Sequence, residues 1–267
     1  MIEREEYFKN IAEYKLLAKH EVGQNFLIDD EVAENIVSFA ELKEGERVLE
    51  IGSGAGSLSY FIAQSKAEAD LIDIDEGLVT KLEHDFETIE HVKPQLGNAM
   101  RWDLSSYHKI IGNLPYYITS GILERVLLNA SSCEKAIFMV QKEAYLRLTA
   151  GKSSKDYGPL PILIQYRAET KRLLSVPRNS FAPAPHIDSV VFSLTFKDNA
   201  TMDIAQRLYH LLNGVFLHRR KTIQNNLGSY LKDPAKAASL LESCGIAPNR
   251  RPEDIDLAEY LKLLARI

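Results

Sequence analysis

Residues 48–59 read VLEIGSGAGSLS, and this segment constrains the fold more than any other. An apolar strand runs to Glu50 and Ile51, glycines alternate at 52, 54 and 56, and a helix is expected to begin near Ser57. Glycine permits the sharp turn that joins strand to helix in so few residues, and it lets a ligand lie against main-chain atoms. The spacing is G-x-G-x-G, which departs from the G-x-G-x-x-G dinucleotide fingerprint, and no G-K-[ST] follows to hold a nucleotide triphosphate. Glu50, Gly52 and Gly54 are the first candidate ligand contacts.

The rest of the chain fits an α/β domain around that turn. Short apolar runs at 47–51, 69–74, 109–112 and 136–140 are separated by helix-length segments, the signature of a mainly parallel sheet. Residues 170–176 and 189–196 read as two further strands across a proline-rich stretch, so an antiparallel last strand is expected. Upstream, Tyr7, Phe8, Ile11, Tyr14 and Leu17 recur at helical spacing within residues 3–20. A second helix should follow Asp29, whose carboxylate can cap it, with Val32, Ile36 and Val37 facing inward. After Asp198 the strand signal stops, and Ile204, Leu208, Leu211, Leu212, Val215 and Phe216 follow a 3.6-residue period. The expected division is an α/β domain over residues 1–198 and a small all-helical domain over 199–267.

Composition excludes several classes. The longest apolar run is Ala136–Val140, far short of a membrane span. The first twenty residues carry no apolar core of a secretory signal, and the two cysteines, Cys133 and Cys244, suit a reducing compartment, so a cytoplasmic protein is expected. The seven histidines show no metal-ligand spacing, and no metal is expected. Net charge is −5, but from Lys197 onward 11 Lys and Arg face 8 Asp and Glu. That leaves a weakly basic tail on an acidic body, compatible with local RNA contact. Arg219, Arg220 and Lys221 form its densest cluster and are placed at the start of a helix as candidate phosphate contacts; Arg250, Arg251, Lys142 and Arg147 are lesser candidates.

The segment IGNLPYYITS, residues 111–120, carries the chemistry. A strand delivers Asn113 to its carboxyl end, Pro115 fixes the backbone after Leu114, and Tyr116 follows at once. The exocyclic amine of adenine is a poor nucleophile because its lone pair is delocalised into the ring. Two acceptors, the Asn113 side-chain oxygen and the Leu114 carbonyl, can grip the amine hydrogens and aim the nitrogen at an electrophilic methyl group. Tyr116 offers a face on which a flipped base can stack.

Together GQNFLID (23–29), EIGSGAG (50–56), GNLPYYI (112–118), VQKEAYLRL (140–148), YGPL (157–160), FAPAPHIDSVV (181–191) and HRRKT (218–222) occur in an order that resembles the small-subunit ribosomal RNA adenine N6,N6-dimethyltransferases. The resemblance implies a Rossmann-like class I methyltransferase sheet, mostly parallel with the last strand antiparallel, followed by a small helical C-terminal domain. It implies S-adenosyl-L-methionine as cofactor. Asn25 and Leu27 match its first contacts, Gly52 the loop contact, Asp73 the ribose acceptor, Asn98 the adenine contact and Asn113 a contact shared by cofactor and target amine. Phe181, opening F-x-P-x-P, matches a second aromatic face opposite Tyr116. The implied partner is 16S rRNA in the assembling 30S subunit, where two adjacent adenines of the 3′-terminal hairpin each receive two methyl groups; a monomer is expected. The family commonly has Asp where Asn98 stands, Glu at Asp73, Pro at Ser53 and Ser at Pro161. Two alternatives share parts of the pattern: a 23S rRNA adenine methyltransferase of the erythromycin-resistance type, and a non-catalytic assembly factor. HRRKT and FAPAPHIDSVV favour the small-subunit class, and an intact Asn113, Pro115 and Tyr116 favour turnover.

Overall fold

The computed structural model describes residues 3–13, 25–115 and 117–267. The elements in chain order are α1 (Arg4–Glu13), β1 (Phe26–Leu27), α2 (Asp30–Ser38), β2 (Arg47–Ile51), α3 (Ser57–Gln64), β3 (Glu68–Asp73), α4 (Glu76–Asp85), β4 (Val92–Leu96), β5 (Lys109–Asn113) and α5 (Thr119–Asn129). They continue with β6 (Lys135–Gln141), α6 (Lys142–Leu148), α7 (Pro159–Arg167), β7 (Ala168–Val176), β8 (Phe181–Ala182), β9 (Ser189–Phe196), α8 (Met202–Val215), α9 (Ile223–Leu231), α10 (Pro234–Cys244) and α11 (Leu257–Leu264). Tyr14 and Leu17 of the expected first helix lie outside the described residues, as does Tyr116.

Seven strands form one sheet in the order β4-β3-β2-β5-β6-β9-β7. β2 pairs parallel with both β3 and β5, β5 with β6 and β3 with β4, whereas β9 runs antiparallel to β6. The expected fold class is the observed one. The central strands β2, β3 and β5 are largely apolar because helices cover both faces of a parallel sheet; Val48, Leu49, Ile51, Leu71, Ile72, Ile110 and Ile111 are all buried. Strand order reverses on either side of β2, which opens a crevice beyond the carboxyl ends of β2 and β5, the place where such sheets take ligands. The register sets Ile51 opposite Gly112, so the glycine loop and Asn113 leave the sheet side by side. Gly112 is required there: a Cβ would sit 2.7 Å from the Ile51 carbonyl oxygen.

Local signals explain the flanking helices. Asp29 caps α2 by accepting from the Val32 amide at 3.1 Å, and Ile36 and Val37 are buried beneath it. α3 begins at Ser57, immediately after Gly56, whose φ of 97° favours glycine.

The chain divides into two compact units: residues 1–145 with 170–196, and residues 146–169 with 197–267. In the second, Leu208, Leu211, Leu212 and Val215 of α8 share one apolar cluster with Ile223, Leu227, Leu241, Ile255, Tyr260 and Leu263. Tyr157 and Ile162 belong to that cluster too. Residues 146–169 therefore pack with the C-terminal helices, whereas the expected division at 198 kept them with the sheet. The segment PLPILIQYR of α7 reads as an ordinary crossover helix, and nothing in its order of residues says which core it will join.

Candidate active site

Two adjoining cavities lie at the carboxyl ends of β2 and β5. The first, about 630 Å³ including open solvent, is lined by Asn25, Phe26, Leu27, Glu50, Gly52–Ala55, Ser57, Leu58 and Asn113–Pro115. The second, about 590 Å³ on the same measure, is lined by Gly52, Asp73, Ile74, Asn98, Pro115, Tyr117 and Ile118 among others. They share Gly52 and Pro115, so the glycine loop and the Asn113–Pro115 segment stand between a more polar chamber and a mainly apolar one.

The loop is tied down by its own N–H groups. Gly52 and Ser53 donate to the Ile72 carbonyl at 2.9 and 3.2 Å, Gly54 donates to Asp73 Oδ2 at 2.9 Å, and Gly56 donates to the Ser53 carbonyl at 2.9 Å. Positive φ values at Gly52 (71°), Gly54 (55°) and Gly56 (97°) make this route available. Asp73 ends β3 with only 9% of its surface exposed, and its Oδ1 accepts from the Asp75 amide at 2.9 Å. Burial raises its pKa, and the amides of Asp75 and Gly54 work against that rise. A carboxylate can accept about four hydrogen bonds, so capacity remains for a further donor beside these backbone amides. Asp75 caps α4 instead, accepting from Gly77 and Leu78 at 3.0 and 3.4 Å.

Glu50 is buried beneath the loop, 1% exposed, and accepts from the Ser59 hydroxyl at 2.6 Å. Burial pushes its pKa up from 4.5 to about 8, helped by the Asp73 charge and opposed by the hydroxyls of Ser59 and Ser53. Among the described residues, the Asn113 side chain has no hydrogen-bond partner, and it lines the polar chamber at the tip of β5. Pro115 is anchored through its carbonyl, which accepts from Ile118 N at 3.2 Å and Thr119 Oγ1 at 3.0 Å.

Two distant sequence motifs meet at the wall of this chamber. β1 pairs antiparallel with β8, Phe26 opposite Ala182 and Leu27 opposite Phe181, and Ser180 donates to Asp29 at 2.8 Å. The Ser57 hydroxyl closes the ribbon onto α3 by donating to the Leu27 carbonyl.

The chain belongs to the ribosomal RNA adenine dimethylase family.

The model of that family matches residues 16–267. The ribosomal RNA small subunit methyltransferase A of Pediococcus pentosaceus is 34% identical over 96% of this chain and 92% of its own. The protein of the same name from Leuconostoc mesenteroides is 35% identical over 95% and 91%. Among solved structures, a dimethyladenosine transferase from Plasmodium falciparum aligns with a TM-score of 0.78 at 23% identity over 88% of this chain and 94% of its own. The 23S rRNA methyltransferase ErmE aligns at 0.68, also with 23% identity, over 91% and 99%. Both structural likenesses are likenesses of fold.

Asn25, Leu27, Glu50, Gly52, Gly54, Asn113, Leu114 and Pro115 come together around the first chamber, and Asp73 and Asn98 around the second. Asn98 lies two residues beyond the end of β4, exposed, with its side-chain oxygen already accepting from the Met100 amide at 2.9 Å. Phe181 is not brought to either lining: its ring is 3% exposed within the main apolar cluster, so it offers no free face to a base. Arg219, Arg220 and Lys221 lie in the turn between α8 and α9, ahead of the helix start expected for them. The buried Asn226 shapes that turn by donating to the carbonyls of His218, Lys221 and Thr222 at 3.0, 3.3 and 3.1 Å. Among the described residues, none of the three cations forms an ion pair, whereas Arg250 is held by Glu259. The residues that sequence reasoning missed are the apolar ones of the second chamber. Ile74, directly after Asp73, is 57% exposed and Tyr117 60% exposed, and an apolar residue wedged between two strand-end acids was the available signal.

Among the described residues no helix is long and apolar enough to cross a membrane, and no group of three or more acidic, His or Cys side chains could hold a metal.

Proposed function

We propose that this chain transfers methyl groups from S-adenosyl-L-methionine to N6 of two adjacent adenines in the 3′-terminal hairpin of 16S rRNA, within the assembling small subunit. The observation that carries this reading is the Asn113 amide, uncommitted to any described residue, at the strand end where two chambers meet. An amide so placed is held by the strand while its acceptor oxygen stays available to a ligand, which is how pre-organised polar groups are most effective.

The residues present fit the cofactor. The second chamber has the mix of apolar wall and carboxylate that a nucleoside needs: Ile74 and Ile118 offer flat apolar contact, and Asp73 accepts from a ribose hydroxyl. The first chamber, with Asn25, Glu50 and the loop backbone, suits the polar amino-acid end. When bound, the cofactor supplies a methyl group already activated by positive sulfur. The protein therefore needs no metal or nucleophile of its own and works by positioning and desolvation. Asn113 Oδ1 and the Leu114 carbonyl accept the two amine hydrogens of the target base, drawing its nitrogen away from conjugation with the ring. Tyr116 supplies a stacking face. The amine becomes acidic only as the new bond forms, and its proton passes to water.

Arg219, Arg220 and Lys221 of the helical unit, without ion-pair partners among the described residues, supply phosphate contacts in a turn braced by the Asn226 amide. We read the protein as a cytoplasmic monomer acting on ribosomal particles. Its substrate is tested by incubating it with labelled cofactor and with 30S or 50S subunits from cells lacking the modification. Label is expected in the 30S rRNA alone; label confined to 23S rRNA would overturn the assignment.

A further inference from the structure

The amphipathic helix α1 has no part in the chemistry, yet it lies against the outer side of the glycine loop. Tyr7 is 2% exposed, and its hydroxyl donates to the Gly56 carbonyl at 3.3 Å. The next carbonyl back, Ala55, accepts from Lys81 Nζ of α4 at 2.8 Å. Lys81 also pairs with Asp85 one turn on, and the two side chains are only 10% and 9% exposed. The ammonium sits 4.8 Å from the centre of the Tyr7 ring. Contact here is close enough that a Cβ on Gly56 would overlap the Tyr7 hydroxyl and approach Leu82 Cδ2 to 2.7 Å.

An i,i+4 pair of this kind usually lies in solvent, where it contributes little. Burying one is unfavourable unless the remaining hydrogen-bonding capacity is used. Here it is used on the loop: the third partner of Lys81 is a main-chain oxygen of Ala55, a residue that lines the polar chamber. The loop needs such restraint. Three glycines within five residues give the unrestrained segment many conformations, and affinity falls in proportion to the fraction of molecules whose loop is ready to bind. Its N–H groups are fixed from the sheet side by Ile72 and Asp73. Its tip carbonyls are fixed from the opposite side by α1 and α4.

We propose that Tyr7, Lys81 and Asp85 form a buried clamp on the Ala55 and Gly56 carbonyls that holds the glycine loop in its binding conformation, so that they act as positioning residues for cofactor affinity. This rests on the reading of the two chambers as the cofactor site. Tyr7→Phe removes a single oxygen, and Lys81→Met with Asp85→Asn removes the pair without leaving a charge buried alone. In the cofactor-free protein, amide hydrogen exchange at residues 53–57 is expected to quicken about fivefold to tenfold in each variant, the equivalent of one net hydrogen bond, while β2 and β5 amides keep their rates. By calorimetry the Kd for S-adenosylhomocysteine should rise by a similar factor, and KM for the methyl donor should rise with it, whereas kcat at saturation and KM for 30S particles stay within about twofold. Wild-type exchange and wild-type Kd in Tyr7→Phe would overturn the clamp, and that variant carries the test if the double variant does not fold. A wild-type protein that fails to bind S-adenosylhomocysteine would instead remove the cofactor reading, with the exchange rates still judging the clamp.

Discussion

Glu50 shows how one residue can be set against the stability of its own fold. Its carboxyl group has lost nearly all contact with water, and burial raises its pKa from 4.5 to about 8. The native state thus holds this proton more tightly than the unfolded chain does. By linkage, Glu50 contributes fully to stability below the unfolded value, and that contribution is lost as pH rises from 4.5 through about 8. Glu50→Gln keeps an acceptor for Ser59 and removes the titration. We expect thermal unfolding of the variant and the wild type to differ little near pH ~5 and the variant to be the more stable near pH ~8. An equal difference at both values would contradict the buried, proton-holding state. Asp73 is shifted in the same direction for the same reason, but the backbone amides of Asp75, Gly54 and Ile74 serve its carboxylate, so its burial is better compensated. The two acids bracket the glycine loop from below and from the side, and the loop's geometry depends on both.

At the scale of elements, legibility in the sequence followed how local the cause was. The β2–loop–α3 unit was readable because glycine spacing dictates its backbone, and α2 because Asp29 caps it three residues ahead of the amide it serves. Asn113, Leu114 and Pro115 were readable at the tip of β5 for the same reason: strand, polar end and proline occur in one short segment. Phe181 was not. An aromatic residue opening a proline-rich loop gives no sign that its strand will pair with Leu27 and turn the ring into the core. The basic cluster at 219–221 is legible in the sequence, but its conformation is not: Lys and Arg are good helix formers, yet Thr222 caps α9 by accepting from the Asn225 amide at 3.3 Å, so the helix starts after the cluster, and the Asn226 amide donates to three carbonyls of the turn. The Tyr7 and Lys81 contacts on the loop join elements far apart in sequence and leave no pattern to read.

Because the turn before α9 presents its cations without ion-pair partners among the described residues, its contribution to RNA binding should be electrostatic and sensitive to salt. Arg219→Ala with Arg220→Ala is expected to weaken binding to 30S particles and to lower the slope of log affinity against log salt by about 0.7–0.9 per cation removed, leaving S-adenosylhomocysteine binding unchanged. An unchanged salt slope would remove this turn from the RNA interface. Replacing Asn226 would disturb the same surface indirectly, through the backbone of the turn.

Across the whole molecule, function follows from strand order. Parallel pairing on both sides of β2 leaves the carboxyl ends of β2 and β5 adjacent, and the chain places its glycine loop on one and its Asn113 amide on the other. In the proposed reaction, a donor held by the first is thereby brought beside a nitrogen gripped by the second. The compact helical unit built from residues 146–169 and 197–267 carries its own apolar core and its own cations. In the proposed reading, the sheet unit holds both donor and target amine, and the cations of the helical unit add contacts to rRNA phosphates. The most direct measurement is the initial rate of adenine methylation in unmodified 30S particles, read by mass spectrometry of the rRNA at saturating S-adenosylmethionine, for wild type and Asn113→Ala. We expect the variant to bind the particles normally and to methylate about 10²-fold more slowly or worse, as loss of one pre-organised polar group at a reacting centre does. A variant that methylates the same adenines at the wild-type rate would contradict the central role given to that amide.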